Sequence, residues 1–131
     1  MNNLIERPQI KTFKDEKEME TKLINFFKEG DIKILSNMNP DSFYKSCPVA
    51  CDILIETSGI KICVEVKHTK KYGIDYGKAL GQLLTAKLIF KGDKMYLVSN
   101  SFLSSPYLDA LKYYGVKLFL FDGGGINSPR Y

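Results

Sequence analysis

The chain has 131 residues, of which 44% are hydrophobic and 26% are charged, a balance typical of a soluble globular protein with enough chain to bury a core. A formal net charge of +4 permits a polyanionic partner without requiring one. No apolar run approaches the ~20 residues that a membrane-spanning helix needs, no signal-peptide pattern opens the chain, and three cysteines give no disulfide framework. We therefore expect an intracellular, cytoplasmic domain without a membrane anchor.

The first half of the chain predicts a helix followed by three strands. Apolar side chains at helical spacing predict a helix over residues 14–29, which Gly30 ends. Residues 31–35 predict a short strand, and the polar residues that follow, up to Pro48, predict a loop. Two alternating segments on either side of the Ser58-Gly59 turn predict a β-hairpin. They are residues 50–57 and 61–68.

The second half predicts two further pairs of a helix and a strand. They are residues 76–90 (helix), 94–99 (strand), 107–114 (helix) and 116–121 (strand). The tail over residues 123–131 is expected to be flexible. The resulting order, αβββαβαβ, predicts the α/β class, with helices flanking one mixed central β-sheet. We expect a single domain over residues 1–131 with a core at about 14–121.

The predicted hairpin carries three charged residues in strands that are otherwise apolar. Residues two apart on a strand share a face, so Glu65 and Lys67 point to one side of the sheet. Asp52, in the partner strand, lies near both if the register brings it opposite them. Carboxylates without a His or Cys partner favour Mg²⁺ or Mn²⁺ over zinc, and such an ion beside an ammonium suits hydrolysis of a phosphodiester. A ladder of salt bridges without a ligand is the alternative interpretation.

The pattern also resembles that of the PD-(D/E)xK nuclease superfamily. Asp52, twelve intervening residues and then Glu65-Val66-Lys67 correspond to its core residues, and the order of elements is similar over roughly residues 14–99. Cys51 stands where many members have proline. The resemblance implies a restriction-endonuclease-like sandwich in which Asp52, Glu65 and the Val66 carbonyl ligate Mg²⁺, with Mn²⁺ as a substitute, and Lys67 assists the attacking water.

The same resemblance implies contributions from two helices. Many members add an acidic residue from the first helix, and Glu20 is the best match, with Glu16 one turn earlier. Some members place a Gln or Lys on the helix after the catalytic strand, and Gln82 fits that position. It would hold a water or a phosphate. Ordinary surface side chains remain the alternative interpretation of Glu20 and Gln82.

Lysines surround the predicted cleft. Lys70, Lys71 and Lys78 follow the hairpin, and Lys45 precedes it. Such residues would contact the backbone of a nucleic acid, although a solvated loop has a similar composition. Because cutting both strands favours two sites related by a two-fold axis, a homodimer is expected.

The function predicted from these residues is that of a Mg²⁺-dependent DNA endonuclease. Two branches of the superfamily compete. "EVKHTKK" is similar to structure-specific nucleases that resolve Holliday junctions, and "YLVSNSFLSSPYLDALKYYGVKLFLFDGG" to restriction-type and Mrr-like domains. The alternatives are a nucleic-acid-binding or assembly module that keeps the fold without cutting, and a nuclease subunit that is active only in a complex.

Overall fold

A computed structural model of the chain describes residues 13–37, 51–68, 76–101 and 105–127, in which three helices pack on one six-stranded sheet. The helices are α1 (Glu16–Glu29), α2 (Tyr76–Phe90) and α3 (Ser105–Tyr113). The strands are β1 (Lys33–Asn37), β2 (Ile53–Thr57), β3 (Ile60–Lys67), β4 (Lys94–Ser99), β5 (Val116–Phe121) and β6 (Ile126–Asn127). The predicted α/β class with a mixed sheet is confirmed, and no helix within these ranges is long and apolar enough to cross a membrane.

The strands lie in the sheet in the order in which they occur along the chain. The pairs β1–β2, β2–β3 and β5–β6 are antiparallel, whereas β3–β4 and β4–β5 are parallel. A parallel pair needs a crossover connection, and α2 and α3 provide the two crossovers. The carboxyl ends of β3 and β4 therefore meet at the same edge of the sheet, where Lys67 lies beside Ser99.

Alternation along the strands divides the apolar core between the two faces of the sheet. On one face the buried residues come from α2, α3 and the strands, and include Leu83, Ala86, Leu111, Cys63, Leu97 and Leu118. On the other face they come mainly from α1 and the strands, and include Met19, Leu23, Phe27, Ile53, Val64 and Val66. Because Cys63 belongs to the first face, Glu65 and Lys67 on the same strand point to the side of α2.

The first helix and the first strand begin later than predicted, and local hydrogen bonds explain why. The first helix begins at Glu16, two residues later than predicted, because Asp15 is its N-cap and accepts a hydrogen bond from the Glu18 N–H at 2.9 Å. The first strand begins at Lys33 rather than at residue 31. Asp31 has a φ of 61° and belongs to the turn that leaves the helix, so the chain becomes extended only afterwards.

Three further boundaries also differ from the predictions. The second strand begins at Ile53 instead of residue 50, because the chain bends at Asp52. The third helix spans Ser105–Tyr113 rather than 107–114, since the fixed φ of Pro106 is tolerated in the first turn of a helix. The second strand of the hairpin, predicted over 61–68, begins one residue earlier, at Ile60, and ends one residue earlier, at Lys67.

The segment predicted as a flexible tail contains a short strand. Phe121 of β5 pairs with Ile126 of β6, and the Asp122 carboxylate closes the intervening turn by accepting hydrogen bonds from the N–H groups of Gly124 and Gly125, at 2.8 Å each. The last four residues lie outside the described ranges. A strand of two residues escapes prediction because it is too short to show an alternating pattern.

Candidate active site

The end of the β2–β3 hairpin brings together the three charged residues identified in the sequence. The predicted hairpin is confirmed, and its register places Ile53 opposite Val64, so Asp52 lies at the level of Glu65. The Asp52 Oδ2 accepts a hydrogen bond from the Val66 N–H at 2.8 Å. The Lys67 Nζ lies 3.3 Å from the Glu65 Oε2. The Asp52 carboxylate is therefore held by the backbone of β3, and the Glu65 carboxylate by the Lys67 ammonium.

The bend of the chain at Asp52 explains how the Asp52 carboxylate comes to lie beside β3. Strand β2 starts only at Ile53, so the backbone hydrogen bonds between β2 and β3 end there. The Asp52 carboxylate instead accepts a hydrogen bond from the backbone N–H of Val66. Buried backbone N–H groups need an acceptor, and short acidic side chains supply one at turns and bends. The contact fixes the Asp52 carboxylate at the edge of the sheet.

Glu65 is the most buried charged residue of the site. The residue is 2% exposed, and its Oε1 is buried without a hydrogen-bond partner. Burial, followed by the charge of Asp52, raises the Glu65 pKa to about 8, although Lys67 opposes the shift. A buried oxygen that lacks a partner costs about 1–3 kcal/mol, which indicates a position that a ligand is suited to fill.

Asp52 and Glu65 titrate as a pair that retains a proton near neutral pH. Burial raises the Asp52 pKa to about 6, although the hydrogen bond from Val66 counteracts it. Burial raises the pKa of both carboxyls, so the pair holds a proton more tightly than two solvated carboxyls would. Proximity of two carboxyls disfavours double ionisation unless a cation is added.

The first two turns of α1 add acidic side chains to this end of the hairpin. Burial, then the charges of Asp52 and Glu16, raise the Glu20 pKa to about 7, which shows that Glu20 lies within electrostatic reach of Asp52. The Glu16 Oε1 accepts a hydrogen bond from the backbone N–H of His68 at 3.4 Å. The structure thus brings both helix acids to the site, and Glu16 contacts the residue that follows Lys67.

Gln82 is placed on the side of α2 that faces the sheet. It falls between the buried residues Ala79, Leu83 and Ala86 at helical spacing, and its Oε1 is also buried without a partner. The side chain therefore belongs to the face of the sheet to which Glu65 points. Its predicted role in holding a water or phosphate stays a prediction.

The donor set fits a hard divalent cation. Within the described ranges no three His, Cys, Asp or Glu side chains form a group that could hold a metal ion by themselves. Mg²⁺ is usually bound by one or two carboxylates, and keeps waters and substrate phosphates as its other ligands. Asp52 and Glu65 supply that number, and the Glu65 Oε1 has an open acceptor position. The Val66 carbonyl remains a predicted ligand.

Of the predicted nucleic-acid contacts, only Lys78 can be located. It is exposed on the first turn of α2, whereas Lys45, Lys70 and Lys71 lie outside the described residues. Sequence reasoning gave no role to Ser99, which lies beside Lys67 on the adjacent strand and is fully buried. The sequence does contain a sign of this position, because Ser99 ends an otherwise apolar strand and ligands of parallel sheets bind at the carboxyl ends of the strands.

Comparison of the chain with family models, with curated proteins and with solved structures gives no match. The function is therefore inferred from the chemistry of the site.

Proposed function

We propose that the protein is a metal-dependent endonuclease that hydrolyses phosphodiester bonds in DNA and has a restriction-endonuclease-like fold. The observation that carries the proposal is a carboxyl pair, the half-buried Asp52 and the buried Glu65, in which Glu65 has an unpartnered oxygen and lies 3.3 Å from the Lys67 ammonium. The order of helices and strands and the +4 charge are compatible with it. Asp52, Glu65 and the Val66 carbonyl would hold Mg²⁺ or Mn²⁺, which when bound would polarise the phosphodiester and acidify a water.

Lys67 would stabilise the transition state. Burial lowers its pKa, but the charges of Glu65, Glu16 and Asp52 and the hydrogen bond to Glu65 together outweigh burial, and the net effect raises the pKa. The side chain is therefore an ammonium near neutral pH. It would donate hydrogen bonds to the attacking water and to the oxygen on which negative charge develops, an effect that is strong in a partly buried site.

Glu20 would serve as a proton acceptor at the edge of the site. A carboxyl whose pKa is about 7 changes its protonation state near the working pH, as general acid–base catalysis requires. Asp52, by contrast, is fixed by the Val66 N–H through Oδ2 and would act by orienting ligands. The two roles follow from environment rather than from residue type.

DNA would approach from the edge of the sheet that carries Lys67, where Lys78 and the predicted contacts Lys45, Lys70 and Lys71 would bind phosphates. Because duplex cleavage needs attack on both strands, we expect a homodimer with two such sites. A preference for branched or linear DNA would distinguish a junction-resolving from a restriction-like nuclease.

The test is a cleavage assay on labelled four-way junction, linear duplex and single-stranded DNA with Mg²⁺, Mn²⁺ or EDTA. Lys67→Met should lower the cleavage rate at least ~100-fold. Lys61→Met, at the other end of the same strand, is the matched control and should cut normally. Folded wild-type protein that cuts none of the three substrates with either ion would overturn the proposal, and DNA binding without cleavage would identify a binding module instead.

A further inference from the structure

The helix layer exposes large apolar side chains at the edge of the molecule opposite the candidate active site. The exposed fractions are 81% for Leu88 and 82% for Tyr113, and Ile89 and Tyr114 are also exposed. Leu88 and Ile89 lie in the last turn of α2, and Tyr113 and Tyr114 at the end of α3. Together these four residues form what we term the distal helix surface.

The topology places the two helix ends side by side. Each helix runs from the carboxyl end of one parallel strand to the start of the next, so α2 and α3 point in the same direction on the same face. The carboxyl ends of both helices therefore lie at the end of the sheet where β4 and β5 start. Lys67 lies at the other end of the strands, roughly 20 Å away for a strand of this length.

Burial of the core does not account for these apolar residues. The core-facing side of α2 is already supplied by Ala79, Leu83, Ala86 and Phe90, all buried against the sheet. Leu88 and Ile89 add a second apolar side to the same helix. The rings of Tyr113 and Tyr114 pack edge to face at 4.9 Å, which forms an aromatic ridge. Adjoining exposed apolar side chains are typical of a protein interaction site.

The charges around the distal helix surface are mostly positive. Lys87, Lys91 and Lys112 flank it, and α2 contains no acidic residue. Among the described acids nearby, the Asp93 carboxylate is engaged by the Lys61 N–H at 2.9 Å, and Asp109 lies one turn before Tyr113. The surface is thus apolar at its centre, and at its rim the three lysines outnumber the two aspartates.

This combination favours an acidic protein partner over two other occupants. A second copy related by a two-fold axis would bring like-charged rims together, and would turn the two candidate active sites away from each other. Nucleic acids form polar, wet interfaces, for which exposed Leu88 and Ile89 are poorly suited. A segment with apolar side chains among acidic residues matches both the centre and the rim.

We propose that the distal helix surface is a docking site for a partner protein segment that presents apolar side chains among acidic residues. A segment bound there leaves the Lys67 edge open to substrate. The proposal depends on the α2–α3 topology and on exposed side chains, and is independent of whether the protein cuts DNA.

The experiment is selection of a random linear peptide library on the immobilised full chain, followed by affinity measurements on the selected peptides. Enrichment of peptides that combine Asp or Glu with Leu, Phe or Trp is expected. Their binding should weaken at least ~10-fold in a Leu88→Ser/Tyr113→Ser double variant and should also weaken at high salt. Tyr107→Ser, at the opposite end of α3, is the matched control and should bind as the wild type does.

Three results would overturn the proposal. The first is peptide selection without the acidic and apolar signature, or selected peptides that bind the double variant equally well. The second is a wild-type dimer in light scattering that the double variant loses, which would assign the surface to a second copy. The third is loss of DNA affinity in the double variant, which would assign it to nucleic acid. An unchanged urea midpoint in the double variant confirms that both proteins compared are folded.

Discussion

Replacement of Glu65 by glutamine keeps the size of a side chain that is 2% exposed but removes its ability to ionise. In the wild type, the pKa of this carboxyl is raised from 4.5 to about 8. The folded state therefore binds the proton more tightly than the unfolded state does. The contribution of such a group to stability is complete below about pH 4.5 and is lost as the pH rises through about 8. Glu65→Gln should therefore raise the free energy of unfolding of the metal-free protein, relative to the wild type, at pH 8 and above.

The size of the effect follows from the change in the Glu65 pKa. A rise from 4.5 to about 8 corresponds to roughly 4 kcal/mol of destabilisation at pH 8, at about 1.4 kcal/mol for each pKa unit. This figure already includes the 3.3 Å contact with Lys67, because Lys67 opposes the rise of the pKa. The expected gain is therefore up to roughly 4 kcal/mol at pH 8 and falls below about 1 kcal/mol near pH 5.

Urea unfolding followed by circular dichroism measures this difference, with EDTA present and the pH varied. Glu56→Gln is the control, since Glu56 pairs with Lys33 at 4.0 Å and the two side chains are 35% and 70% exposed. It should change the free energy of unfolding by less than about 1 kcal/mol. If Glu65→Gln were no more stable than the wild type at alkaline pH, the cost assigned to the buried carboxyl would be wrong.

Three further predictions concern packing, capping and metal binding. Gly92→Ala would bring a Cβ within 2.8 Å of the Cys63 Sγ and should cost about 1–3 kcal/mol in urea unfolding; an equal cost in a Cys63→Ala background would refute the clash. Asp15→Ala removes the acceptor of the Glu18 N–H and should lower stability by about 1 kcal/mol, with DNA cleavage unchanged. Mg²⁺ should displace about one proton near neutral pH, because Glu65 must ionise to bind it. Calorimetry in buffers of different ionisation enthalpy measures the release, and binding without proton release would contradict the assignment.

The regular part of the fold and the central charged residues were predictable from local pattern. Helical spacing identified α1 and α2, and alternation identified the hairpin. Because the side-chain period of a strand is two, Glu65 and Lys67 had to share a face. An antiparallel partner starting at Asp52 could then complete the group, and the observed register does so.

The features that give the site its chemistry depend on tertiary contacts and were not readable from the sequence. Local pattern does not show that the chain bends at Asp52, that Glu16 reaches the N–H of His68, or that oxygens of Glu65 and Gln82 are buried without partners. Each of these depends on how α1 and α2 sit on the sheet. Burial is the largest cause of the raised pKa values of Glu20, Asp52 and Glu65, so these shifts too emerge only from the packed structure.

The central claim, that Asp52 and Glu65 bind one catalytic divalent cation, is tested most directly by the dependence of the DNA cleavage rate on Mg²⁺ concentration. The wild type and Glu56→Gln should show the same saturable dependence and no cleavage in EDTA. Asp52→Asn should require at least ~10-fold more Mg²⁺ or lose cleavage altogether. Cleavage by Asp52→Asn with the wild-type rate and Mg²⁺ dependence would contradict the site.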